Sequence, residues 1–436
     1  MRPHFTLLLL SFFAFSVLPA NAQWIRVWQN GESTRYAVAD AASLPYSANT
    51  GTLTIGDVTY NTADIDSLTI VNPVAIIWDG NNATVDVPES VEGLTVTVDG
   101  GNVNIFNDNI FTEQEFVLSG TSDSGSLTYV GAFKCKFHLA GLNLTSTTGA
   151  ALDIQCGKRV DLILEDGTLN VLSDYAAGEQ RAALNCQGHL EISGAGALEI
   201  SGNARHALRA KEYLLLKRTL GVLAINTAAS DGIHCGEYFQ MNGGTLIINN
   251  TLGDGLQVET DAESDETLNG QFIMNGGTID LTVTAPDSKG IRLDAVEGNS
   301  TLVPAMYLLD GTITANVAAT ALGSKAIASD GNLTIGSDTT APTINITVGA
   351  GTYTDPDTDE ENRATGLKAE QTLTIAGGET TVAATGAKSR GVRAATLIAT
   401  GGTLTVTNTG SKSQGIKLDN TFQSGQGGTV NGKFKY

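Results

Sequence analysis

The chain has 436 residues, with 46 acidic against 25 basic side chains and a formal net charge of −21 at pH 7. That balance repels nucleic acid and anionic membrane surfaces and favours the binding of cations. Glycine (50) far outnumbers proline (9), so glycine is the expected source of tight turns.

The N-terminus carries one basic residue, Arg2, then an almost wholly apolar run over residues 7–18 and the sequence Ala20-Asn21-Ala22. This pattern predicts an export signal cut after Ala22, placing the mature protein outside the cytoplasm as a secreted, periplasmic or cell-surface protein. No later stretch approaches the ~18 apolar residues that a spanning helix needs. Residues 23–72 carry strand-like segments (WIRVWQNGE, TLTIGDVTY, IDSLTIV) without a fixed period, which predicts a small separate β module. Residues 73–131 alternate polar and apolar side chains and are expected to cap the open N-terminal edge of the repeats downstream.

Within those repeats, two phrases recur. One is apolar-Gly-Gly-Thr-apolar, as in MNGGTLIIN at Met241, MNGGTIDLTV at Met274 and ATGGTLTVT at Ala399. The other is Gly-apolar-polar-apolar, as in DGIHC at Asp231, DGLQV at Asp254, KGIRL at Lys289 and QGIKL at Gln414. Where no insertion intervenes the step is 23 to 25 residues, as from Gly232 to Gly255 and Gly366 to Gly391. That period suits three short strands and three turns per coil. Strands this short and polar bury nothing alone, but stacked at about 4.8 Å per rung their apolar positions make one continuous core. The fold expected is all-β, a right-handed parallel β-helix of about ten coils spanning residues 73–436. A β-sandwich array would instead show hairpin spacing of about 8–12 residues.

Four cysteines in an exported chain invite a disulfide reading, but Cys186 and Cys235 share an inward column with Ala210 on the rung between them. A two-rung gap of about 9.6 Å exceeds bonding reach, so buried thiols are expected. Three insertions, starting at Thr260, Ala295 and Thr352, are expected at consistent places in the coil, where they could build a binding face.

Period-two alternation points one column outward: Asp153, Asn185, Arg209, His234, Gln257, Arg292, Ala328, Lys368, Arg393 and Lys417. Five of these ten are Arg or Lys. The functional reading is a basic ladder for a polyanion such as a uronic-acid polymer; the structural one is a solvated face that blunts sheet association. Arg209, His234 and Arg292, with His206, are the candidate ligand-binding residues, because they flank an acidic cluster. Asp231 and Asp254 fall on successive rungs, and Glu259, Asp261, Asp265 and Asp287 lie close in sequence. Carboxylate oxygens in that number suit Ca²⁺, with a plain charge ladder neutralised by Lys289 as the alternative. Lys289 is also the candidate base if the chain is a lyase, abstracting the proton alpha to a uronate carboxylate. His138, His189, His206 and His234 lie in different coils, only the last two on adjacent rungs, and give no metal spacing pattern, so zinc is not expected. Sugar stacking would fall to Tyr213 and Tyr238, which match as KEY and GEY in consecutive coils.

The strings LSGTSDSGSLTY, LAGLNLTSTTGAAL, HALRAKEYL, ASDGIHCGEYFQMNGG and GDGLQVE resemble the exported carbohydrate-binding β-helix family first recognised among cellulose-degrading clostridia, over about half the chain. The resemblance implies a right-handed parallel β-helix similar to polysaccharide lyases, bound Ca²⁺, and binding of cellulose and acidic sugars such as polygalacturonate. It supports Asp231, Asp254 and Glu259 as Ca²⁺ ligands, since they sit in the matching strings. The reading reached is a secreted, Ca²⁺-dependent polysaccharide-binding protein. A polysaccharide lyase is the enzymatic alternative and an adhesin-like structural solenoid the third; oligomeric state stays open.

Overall fold

The computed structural model describes residues 24–30, 32–38, 44–296, 302–425 and 427–436. The expected export signal lies outside the described residues, as does part of the second insertion. Among the described residues no helix is long and apolar enough to cross a membrane. The chain forms two compact units: the described residues up to Ala75 together with Asp86–Val91, and Ile76–Val85 with Glu92–Tyr436.

In the first unit, strand Trp24–Gln29 pairs antiparallel with Glu32–Ala37 on one side and Ser67–Val71 on the other. A second antiparallel set joins Tyr46–Ser47, Thr52–Ile55 and Val58–Asn61. Alternation along these strands turns Ile25, Val27, Leu53, Ile55 and Tyr60 into one small core.

The second unit is a parallel solenoid, and its order comes from the repeat. Strand Ala182–Cys186 is followed by Leu190–Ser193 and Ala197–Gly202; the chain then returns to lay His206–Ala210 beside Ala182–Cys186. Leu214–Leu216 and Val222–Ala228 stack likewise on the second and third strands. Apolar columns run through the rungs in register: Leu127, Leu152, Leu184, Leu208, Ile233, Leu256, Ile291, Ile327, Leu367, Val392 and Ile416. Each of these is at most 1% exposed, so the core is a stack of equivalent aliphatic layers. Wide early coils are filled by Phe116, Tyr129 and Phe137, whose ring centres lie 4.9 to 5.4 Å apart.

The Gly-Gly-Thr phrase has a backbone cause. Its second glycine adopts positive φ at Gly244 (80°), Gly277 (91°), Gly378 (75°) and Gly402 (64°), a region in which a Cβ is strained. All four cysteines are free and buried, and Cys186 and Cys235 are separated by Ala210 as the alignment requires.

Two expectations are corrected. Parallel pairing begins at Asn102–Asn107, inside the stretch assigned to the cap; only Leu94–Asp99 meets that rung antiparallel. The insertions also do not share one corner. The first two lie between the first and second strands of their coils (after Glu259 and after Asp294), whereas the third follows a third strand, Thr343–Val348. That third insertion forms its own hairpin, Thr352–Thr354 against Glu361–Arg363. Sequence alone gives the length of an insertion but not which turn of the coil it replaces.

Candidate functional site

The outward column stacks in the expected order from Asp153 through Arg209, His234 and Arg292 to Lys417. Pointing outward does not leave these side chains in water. Rungs about 4.8 Å apart lay one long side chain over the next, so Arg209 is only 8% exposed and Asn185 only 7%.

Most of the ladder is neutralised within the protein. Arg292 reaches Asp254 Oδ2 with Nη1 at 3.1 Å and Asp294 with Nε. Lys368 pairs with Glu370, and Arg393 and Lys417 both pair with Asp419. Arg292, expected to bind ligand, is therefore committed to two carboxylates, which hold its pKa up despite burial.

Arg209 differs. Among the described residues it has no carboxylate at ion-pair distance, and its Nη1 meets Asn185 Oδ1 at 3.5 Å. Burial lowers its pKa first, Arg181 and Arg205 add to that, and Glu259 works the other way. Arg181 and Arg205 are exposed and precede the paired positions Ala182 and His206, so they share a column on adjacent rungs. Neither has a carboxylate at ion-pair distance among the described residues. Three unneutralised guanidinium groups thus converge on one patch of an acidic protein. Sequence reading singled out Arg209 alone, because Arg181 and Arg205 sit in turns outside the strand phrase.

Beside this patch lie His206, Asp231 and His234. The imidazole rings stack with centres 4.7 Å apart. Asp231 Oδ2 is 3.3 Å from Nδ1 of each histidine, while its Oδ1 accepts the Asp254 N–H at 2.8 Å. Burial opposes the Asp231 charge, but the two histidines and that N–H outweigh it and hold the carboxyl well below its ordinary range. His234 Nε2 lies 3.3 Å from Glu259 Oε2.

The carboxylates expected to hold Ca²⁺ are dispersed. Asp254 Oδ1 accepts the Lys289 N–H at 2.7 Å and its Oδ2 takes Arg292, so both oxygens serve the fold. Asp287 pairs with Lys325 at 3.3 Å. Asp261 turns back on its own loop, accepting from Glu263 N and donating its N–H to Asn269 Oδ1. Asp265 lines a separate shallow concavity with His189, Glu212, Glu237 and Glu266. Among the described residues, no three of these carboxylates offer oxygens close enough to share an ion, whereas His206, Asp231 and His234 do offer such a triple. Ca²⁺ takes six to eight oxygens, so these side chains by themselves do not make up a Ca²⁺ cage.

Lys289, the candidate base, donates from Nζ to the Asp287 carbonyl at 3.1 Å. The amine whose pKa is pushed down is the neighbouring Lys325, by burial first, with Asp287 opposing and Lys289 and Lys368 adding to the shift. Tyr213 and Tyr238 do not present sugar platforms. They are 9% and 7% exposed, their rings stack on each other at 4.5 Å, and Tyr213 also lies tilted against His189 with ring centres 4.3 Å apart. In consecutive coils equivalent rings meet face to face, which uses the faces a sugar would need.

A family model described as carbohydrate-binding domain-containing protein matches residues 107–415. The chain belongs to this family. The matched span contains Arg181, Arg205, Arg209 and the histidine pair, while the first compact unit lies outside it. Among solved structures, the chain is similar to a polysaccharide lyase-like protein from C. thermocellum, solved as a gadolinium derivative. The two are 22% identical with a TM-score of 0.47, over 63% of this chain and 96% of that one. No curated protein matches.

Proposed function

We propose that this member of the carbohydrate-binding family is an exported protein that binds acidic polysaccharide. The binding face in this reading is the one formed by Arg181, Arg205 and Arg209. The observation that carries it is the convergence of three guanidinium groups with no carboxylate at ion-pair distance among the described residues, in a chain of net charge −21. Every added positive charge there is available to a ligand, and arginine's planar fork matches a uronate carboxylate in bidentate geometry. The winding is taken as right-handed over about ten coils, since about 98% of parallel crossovers take that hand. Export rests on the N-terminal signal pattern.

Because Asp254 and Asp287 are occupied within the fold, the Ca²⁺ dependence implied by the resemblance forms no part of this reading. A lyase reading finds no free amine in Lys289 or Lys325, since Lys289 donates to the Asp287 carbonyl and Lys325 is ion-paired with the Asp287 carboxylate.

The test is binding of polygalacturonate and of a neutral cello-oligosaccharide to the mature chain, with Ca²⁺ absent and then added. Arg181→Ala with Arg205→Ala removes two exposed charges and should weaken polygalacturonate binding about tenfold or more, leaving thermal stability within ~0.5 kcal/mol. Equal binding by this variant would overturn the assignment of the face. A rise in absorbance from unsaturated uronates would make the protein a lyase.

A further inference from the structure

We infer that His206, Asp231 and His234 form a binding site for a borderline transition-metal dication such as Zn²⁺. The donor set is two imidazole nitrogens and one carboxylate oxygen, which suits Zn²⁺ and its neighbours and is wrong for Ca²⁺. This inference does not depend on which glycan binds.

Geometry supplies the first argument. Zn²⁺ bonds of 2.0–2.1 Å at tetrahedral angles place neighbouring donors roughly 3.3–3.4 Å apart. Asp231 Oδ2 is 3.3 Å from His206 Nδ1 and 3.3 Å from His234 Nδ1, two edges of that size meeting at one oxygen. The three donors all lie within 4.8 Å of one another, and an ion between them is reached by both imidazoles once their rings, stacked at 30°, tilt toward it.

An orphaned atom supplies the second. His206 is 6% exposed, and its buried Nδ1 has no hydrogen-bond partner, although Asp231 Oδ2 lies near. The pair is close enough for charge attraction but badly angled for a hydrogen bond. A buried polar atom left without a partner costs about 1–3 kcal/mol, and a metal ion would satisfy it.

The surroundings of the ligands complete the case. His234 Nε2 faces Glu259 Oε2 at 3.3 Å, the arrangement in which a carboxylate fixes the tautomer that leaves Nδ1 free to bind metal. Asp231 Oδ1 is held by the Asp254 N–H at 2.8 Å, which fixes the direction of Oδ2. His206 and Asp231 occupy one column on successive rungs and His234 the outward column, so the rigid ladder sets the spacing of the ligands. Three protein ligands leave a fourth position for water or a ligand oxygen.

The experiment uses the full mature chain, stripped of metal, titrated with Zn²⁺ against a chromophoric chelator and separately with Co²⁺ while visible absorption is followed. Wild type should bind one Zn²⁺ that excess Ca²⁺ does not displace, and Co²⁺ should give the intense absorption of a tetrahedral site. His206→Gln with His234→Gln should weaken Zn²⁺ by more than the ~10–100-fold that loss of an outer-shell partner costs. Zn²⁺ affinity unchanged in that variant would overturn the site, as would ready displacement by Ca²⁺. Should the variant fail to fold, a weak octahedral Co²⁺ spectrum in the wild type would overturn it equally.

Discussion

Lys217 lies between two carboxylates on adjacent rungs, reaching Asp161 Oδ1 at 2.7 Å and Glu191 Oε2 at 2.6 Å. Burial raises the Glu191 pKa, but Lys217 and the Tyr213 hydroxyl outweigh it and hold the carboxyl below its ordinary range. The stability Glu191 contributes is therefore present above the unfolded value of about 4.3 and lost as pH falls through the lower folded value. Lys217→Met leaves Glu191 with the Tyr213 hydroxyl and the charge of Arg159 and should cost about 2 kcal/mol at pH 7. In that variant burial dominates and the folded pKa moves up, so the deficit should shrink on acidification toward pH ~4–5. Urea denaturation of both proteins across this range checks the sign; a deficit independent of pH would show that Lys217 acts through packing. Pairings of this kind were not legible in the sequence, because Asp161 and Lys217 are 56 residues apart.

One turn shows how an element is held. Asn170 is fully buried, and its Oδ1 accepts from Gly141 N and Leu142 N at 3.0 and 2.9 Å. Its Nδ2 donates to Thr168 Oγ1 and to the Ala197 carbonyl at 3.1 and 3.0 Å, so one side chain stitches three successive coils. Asn170→Ala leaves two backbone N–H groups without partners in a dry interior and should cost about 2–4 kcal/mol. The midpoint of urea unfolding reads this directly; a loss under ~0.5 kcal/mol would mean that water replaces the amide. The strands themselves were readable because alternation and a fixed coil length leave one register that buries every apolar position. The corners were not, since a corner is set by side chains such as Asn170 that bond across coils.

At the scale of the whole molecule, a solenoid is a sum of rungs and interfaces between neighbours. The last strands, Phe422–Ser424, Thr429–Asn431 and Phe434–Lys435, are short and largely exposed. Amide exchange should therefore be fast there and slowest in central rungs such as Ala182–Cys186 and His206–Ala210, whose residues are all buried. Hydrogen-exchange mass spectrometry tests this; uniform protection along the chain would mean that the solenoid opens as one unit.

The sequence by itself determined the columns: which residues stack, which face inward, and that Cys186 and Cys235 stay two rungs apart. Apolar burial repeated at a constant spacing admits no other register. Only the tertiary structure decided which outward charges are spent and which are free. Arg292 and Arg209 read alike in the column, yet one is held by Asp254 and Asp294 and the other faces two more arginines. Likewise the columns put His206 and His234 on adjacent rungs, but only the structure turns both imidazoles to the same Asp231 oxygen with their rings stacked. The difference is physical: burial of apolar side chains is set by local pattern, whereas pairing of charges depends on distances of a few ångströms between rungs and turns.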